Sequence, residues 1–151
     1  MTEEPSSGVD CVVDASVGIK LFLVEPLSDR ADGLFAYLSA TPPARFFVPD
    51  RFYIECTNIL WKYVCRFDYP PNAAQQDVAN LVKLPLHSVS TADLAESALA
   101  LSILYQITAY DAAYVALARE LSLPLVTADE TLVRRFERTD PDVRWLAEWP
   151  V

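Results

Sequence analysis

Four carboxylates carry the chemistry that this sequence can offer, and Asp111 is the most telling of them. It is the only formally charged residue between Glu96 and Arg119, set in the apolar run from Ser102 to Ala118. A carboxylate in such surroundings is costly unless it is hydrogen-bonded, paired or bound to a cation. No Lys or Arg lies within a helical turn of it, so any partner must come from elsewhere in the fold. Asp14, Glu55 and Asp129 stand at junctions where a strand or helix could aim them at the same point. Carboxylate oxygens are the donors that hard divalent cations such as Mg2+ prefer, and Mg2+ usually keeps several waters. Converging carboxylates repel, so such a cluster persists mainly where a cation or a function compensates.

Each acid also has a plainer use. Asp14 follows Val12-Val13 and suits a helix N-cap, although Ser16 could cap instead. Glu55 belongs to a stripe in which Arg51, Glu55, Asn58 and Lys62 recur at spacings of four, three and four. That stripe suits a solvated face with weak ion pairs, and equally an active-site wall. Asp111 could complement a helix dipole in the first turn. Asp129 could cap the helix that starts at Glu130. Tyr114, one turn after Asp111, is expected to pack. Singly the acids are weak signals; together, at compatible places, they point to a metal site.

The elements that must position them follow from the pattern. Cys11-Val12-Val13 is apolar and β-branched, a buried strand ending at Asp14. Helices are expected over Ser16–Leu23 and Ser28–Leu38, then a strand over Arg45–Val48 closed by Pro49. Asp50 is expected to cap a helix reaching about Phe67, followed by a Pro-rich break and a helix over Ala73–Leu84. Leu86–Val89 reads as a strand, Thr91–Tyr105 and Tyr110–Leu121 as helices, and Pro124–Thr127 as a strand ending near Asp129. A helix over Glu130–Glu137 and a strand over Val143–Leu146 complete the chain. Strands alternating with helices argue for an α/β fold with a parallel sheet, and ligands of such sheets bind beyond the carboxyl ends of the strands. Asp14 and Asp129 fall at those ends.

With 151 residues, 52% of them hydrophobic, the chain fits one domain, expected over residues 9–151 after a flexible segment 1–8. A net charge of −9 argues against a broad nucleic-acid-binding surface but not against a nucleic-acid enzyme, whose carboxylates a metal can neutralise. Cys11, Cys56 and Cys65 are odd in number and lack C-x-x-C spacing, which disfavours disulfides and zinc and fits a reducing, cytoplasmic setting. His87 is the only histidine, so catalysis based on His is poorly supplied. Met1–Val9 has neither the basic nor the apolar region of a signal peptide. Ser97–Ala118 is long enough to suggest a membrane span, but Gln106, Asp111 and the missing basic flanks favour two packed helices broken near Gln106–Ala109.

These residues resemble a known family. Val12-Val13-Asp14-Ala15-Ser16 is similar to the opening motif of PIN-domain nucleases, the group that includes the VapC-like toxin ribonucleases. Glu55-Cys56-Thr57-Asn58-Ile59-Leu60 is similar to their second motif, Thr108 to Ala118 to their third, and Thr127-Ala128-Asp129-Glu130-Thr131-Leu132 to their fourth. The resemblance runs from about Val9 to Trp145 and implies a three-layer α/β/α sandwich around a mainly parallel sheet. It implies a Mg2+- or Mn2+-dependent ribonuclease that uses Asp14, Glu55, Asp111 and Asp129, with Ser16, Asn58 and Thr127 in support. Arg51 and Lys62, flanking Glu55 on its stripe, are candidates to meet substrate phosphates. Small members of the family are often toxins of toxin–antitoxin pairs and homodimers, and the antitoxin lays part of its chain over the acidic pocket.

Two rivals remain. A receiver-like domain would place a phosphorylatable Asp at a strand end, but it needs a Lys at a later strand end. Neither Thr127–Asp129 nor Val143–Leu146 provides one. A catalytically silent binding module would keep the fold without turnover, and the presence of all four acids argues against it.

Overall fold

The computed structural model describes residues 10–137 and 142–150, so the segment 1–8 lies outside the described residues. Five short strands, β1 (Cys11–Val13), β2 (Phe46–Pro49), β3 (His87–Val89), β4 (Leu125–Thr127) and β5 (Val143–Trp145), form one sheet in the order β3-β2-β1-β4-β5. Every pairing is parallel. Cys11 pairs with Phe46, and Val12 with Leu125, so β1 is bonded on both edges. A central strand covered on both faces has no polar side, which is why β1 reads as an unbroken apolar run.

Among the described residues seven α-helices flank the sheet: α1 (Ala15–Gly18), α2 (Ser28–Phe35), α3 (Phe52–Phe67), α4 (Pro71–Leu81), α5 (Thr91–Tyr105), α6 (Ala109–Leu121) and α7 (Glu130–Phe136). The parallel sheet is what the alternation of elements led one to expect, and the flanking helices give the three layers that the resemblance implies. Helix α6 is buried without interruption from Ala112 to Ala118, packed against the sheet and against α5. Its small Ala residues let these layers approach closely. No helix among the described residues is long and apolar enough to cross a membrane. The break expected near Gln106 is real: Gln106 takes a left-handed conformation (φ 57) and ends α5.

Several boundaries differ from the sequence reading, each for a local reason. The helix expected over Ser16–Leu23 is one turn of α-helix that tightens into a 3-10 turn at Ile19–Leu21, where the Phe22 and Leu23 amides both return to the Ile19 carbonyl. The helix expected over Ser28–Leu38 stops at Phe35 and likewise continues as a 3-10 turn. Helix α4 begins at Pro71, whose missing amide costs nothing at a first helical position, and ends at Leu81 rather than Leu84. Asp50 does not cap α3. Its Oδ1 accepts the Thr91 amide at 3.2 Å, tying the end of β2 to the start of α5.

Candidate active site

Strand order reverses direction about β1: β2 and β3 lie to one side, β4 and β5 to the other. The crevice between the carboxyl ends of β1 and β4 is therefore a switch point, the place where parallel α/β sheets bind ligands. Asp14 leaves β1 there, and its amide extends the ladder by bonding the Val126 carbonyl at 3.1 Å. Asp129 stands two residues beyond β4.

Asp14 occupies the N-cap position of α1 but makes no capping bond. Its carboxylate is instead gripped from both strands. Ser16 Oγ and Thr127 Oγ1 each donate to Oδ2 at 2.8 Å. The two hydroxyls lie 3.4 Å apart, with each proton committed to Asp14. Their oxygens in turn accept backbone amides, Ala128 N–H on Ser16 at 3.0 Å and Asp129 N–H on Thr127 at 3.0 Å. The loop after β4 is thereby bound to the first turn of α1. Burial pushes the Asp14 carboxyl above the usual range, the two hydroxyls act against that, and Asp129 adds repulsion.

Asp129 is a true cap: Oδ1 accepts the Thr131 amide at 3.0 Å and the Leu132 amide at 3.4 Å. One oxygen serves the helix, so this acid has both its plain use and a place at the site. Asp111 lies in the first turn of α6, whose cap is Thr108; Thr108 Oγ1 accepts the Asp111 amide at 3.2 Å. Burial, then repulsion from Asp14 and Asp129, pushes the Asp111 carboxyl up to about 6, against a bond from Thr108.

Glu55 rises from the first turn of α3. Arg51 Nε donates to its Oε1 at 3.0 Å. Burial and the charge of Asp14, with a smaller contribution from Asp111, still push it up to about 7. All four acids are thus electrostatically linked across two helices and two strand-to-helix junctions. Helix α3 can come this close because Gly18 faces it without a side chain. A Cβ there would lie 2.6 and 2.7 Å from the Phe52 ring and 3.8 Å from Cys56 Sγ.

The other site candidates divide. Ser16 and Thr127 hold Asp14 as described. Arg51 is engaged twice, by Glu55 and by Tyr110, over whose ring its guanidinium stacks at 3.3 Å from the centroid. Asn58 and Lys62 lie exposed further along α3, and Lys62, seven residues beyond Glu55, is about 10 Å further along the axis. No bond among those described ties either of them to the acids. Sequence reasoning passed over Thr108, Tyr110 and Gly18. Gly18 had a readable signal, since the chain has only three glycines and this one sits a helical turn past Asp14. An apolar groove of about 690 Å³ between α3, α5 and α6, lined by Ile54, Ala95, Ala98 and Leu99, opens beside Arg51 and Tyr110.

The donor set is all oxygen, which suits Mg2+ or Mn2+ better than a softer ion. Among the described residues no group of three or more His, Cys, Asp or Glu side chains is arranged to hold a metal ion.

A parallel α/β sheet with electrostatically linked acids at its switch point defines an α/β protein with an acidic crevice. Residues 11–139 match the PIN domain family, and the chain belongs to it. Ribonuclease VapC3 of Pyrobaculum aerophilum is 31% identical over 129 residues, which is 83% of this chain and 93% of that protein. A solved toxin–antitoxin complex from Klebsiella pneumoniae contains a similar chain, with a TM-score of 0.64 at 20% identity over 94% of this chain and 100% of that one. VapC20 of Mycobacterium tuberculosis, described as a sarcin-ricin loop cleaving toxin, has a TM-score of 0.62 at 18% identity over 83% and 94%. At those identities the two solved structures speak for the fold.

Proposed function

We propose that this protein is a Mg2+- or Mn2+-dependent endoribonuclease and the toxin of a toxin–antitoxin pair. The observation that carries the reading is the linkage of Asp14, Glu55, Asp111 and Asp129 at the β1/β4 switch point, with Asp14 fixed by two hydroxyls. The similarity to a ribonuclease over nearly all of both chains supports the substrate.

A bound divalent ion would neutralise charge at the scissile phosphate and make water a better nucleophile. Asp14 and Asp111 are the residues to hold it directly, and Asp129 through its second oxygen or a water. Ser16 and Thr127 keep Asp14 aimed. Glu55, raised to about 7, is suited to orient the attacking water and take its proton near neutral pH. The water oxygen bonds to phosphorus as its proton passes to Glu55, the P–O3′ bond breaks, O3′ takes a proton from solvent, and the products carry 5′-phosphate and 3′-hydroxyl ends. Arg51 would leave Glu55 to meet a substrate phosphate, and Lys62 would meet a phosphate further along.

Two protein partners follow. An antitoxin segment would cover the acidic mouth, where the apolar groove reaches the rim. A second copy would cover the part of α5 that leaves Leu99, Ile103 and Leu104 exposed.

The test is incubation of the protein with RNA after chelation, followed by addition of Mg2+ or Mn2+, with Asp111→Asn in parallel. Cleavage restored by metal in the wild-type protein alone, leaving 5′-phosphate ends, supports the reading. Cleavage that persists in chelator, or that the Asp111→Asn protein retains, contradicts it.

A further inference from the structure

Tyr114 stands on α6 three residues past Asp111, on the same face of the helix. It is 1% exposed, and its hydroxyl is buried without a hydrogen-bond partner. The Ala15 amide lies beside the oxygen without closing a bond to it, and would in any case leave the O–H proton unused. The charges of Asp14 and Glu55 reach this hydroxyl, and α6 packs against β1, so it lies beneath the acidic site.

A buried hydroxyl with no partner destabilises the fold, and Phe would fill the same space without that cost. Packing alone therefore explains the ring but not the oxygen. The donors that touch Asp14 and Glu55 are committed: Ser16 and Thr127 to Asp14, and Arg51 to Glu55. Arg51 holds Glu55 at the half-exposed rim. A substrate phosphate that draws Arg51 away would free the Glu55 carboxylate to turn inward, toward the Tyr114 hydroxyl.

We propose that Tyr114 is a positioning residue, whose buried O–H receives the Glu55 carboxylate when Arg51 releases it and holds it facing the attacking water. This rests on the ribonuclease reading above. In that reading Glu55 has two holders, a cation at the rim and a neutral donor inside, and substrate phosphate selects between them. The buried hydroxyl is then a stability cost retained for function, as happens where a site must keep a group poised.

The test is Tyr114→Phe, measured three ways: melting temperature in chelator, and kcat and KM for Mg2+-dependent RNA cleavage, all beside wild type. The expected result is a melting temperature at or above wild type, kcat lower by at least about tenfold, and KM within about twofold, as for an outer partner that orients a reacting group. A kcat within about twofold of wild type overturns the proposal. So does a melting temperature, or a folded yield, that falls together with kcat, because the hydroxyl would then have a structural partner. A wild-type protein that cleaves no RNA with either metal overturns the ribonuclease reading and this proposal together. Wild-type cleavage with an equally active Tyr114→Phe protein overturns this proposal alone.

Discussion

Thr127 Oγ1 donates to Asp14 Oδ2 at 2.8 Å across 113 residues of sequence, joining the ends of the two strands that flank the switch point. The same hydroxyl accepts the Asp129 amide, so one side chain fixes the carboxylate of Asp14 and the backbone of Asp129. Thr127→Val keeps the shape and removes both bonds. Stability should fall by about 1–3 kcal/mol, the usual cost of leaving buried polar groups unpaired. Divalent-metal affinity should weaken by roughly 10–100-fold, as for other outer partners of metal ligands. Denaturant melts and a Mn2+ titration measure the two effects; unchanged metal affinity would reduce Thr127 to a structural role.

Gly18 sets the distance between α1 and α3. A methyl group there meets the Phe52 ring well inside contact distance, and a packed ring at the start of α3 has little room to yield. Gly18→Ala should destabilise the protein by about 1–3 kcal/mol. Because Glu55 rides on α3, cleavage should drop more than stability alone explains. Activity measured well below the melting temperature separates the two effects, and full activity at full stability would show that α3 adjusts freely.

The raised carboxyls of Glu55 and Asp111 fix a pH dependence. An acid whose pKa is higher in the folded protein binds more protons folded than unfolded, so its contribution is fully present at low pH and is lost as pH rises through the folded value. Glu55 goes from 4.5 to about 7 and Asp111 from 3.8 to about 6. In chelator, these two acids should therefore make the protein less stable as pH rises from about 4 to 7. Glu55→Gln should remove the upper part of that slope. Metal-dependent cleavage should run the opposite way and increase over the same range, since ligands must lose their protons. Melting temperatures in chelator that rise steadily from pH 5 to 7 would contradict the account.

Helix α5 should be covered by a second copy of the chain. Leu99, Ile103 and Leu104 are 60%, 67% and 70% exposed, a patch that a soluble monomer rarely leaves bare. Light scattering at micromolar concentration should give a dimer mass, and Leu104→Glu should shift it to the monomer. A monomer mass for the wild-type protein would leave α5 to another partner.

Much of this was legible in the residues. Asp111 announced itself by charge in an apolar run, and Val12-Val13-Asp14 by a strand ending in an acid; both describe local chemistry that sequence carries. Asp14 was harder. Its N-cap use looked as good as any, and only the approach of Thr127 from β4 shows the carboxylate turned away from the helix it precedes. Arg51 read only as one cation of a polar stripe, because the ring that stacks on it, Tyr110, lies 59 residues away. Tyr114 looked like packing because a buried phenol and a buried ring share one sequence signature, and the orphaned oxygen appears only once its neighbours are placed. Long-range partners are what the pattern could not supply.

The central claim is that these acids form a divalent-cation site, and thermal melts of the wild-type and Asp14→Asn proteins, in chelator and in millimolar Mg2+, test it most directly. Asn keeps an oxygen for Ser16 and Thr127 to bond while removing the charge. In chelator Asp14→Asn should melt higher than wild type, because a buried, repelled carboxylate has been neutralised. Mg2+ should raise the wild-type melting temperature, since it binds the folded protein, and should do much less for Asp14→Asn. Matching curves for both proteins in both conditions would contradict the account and take the cation away from this strand end.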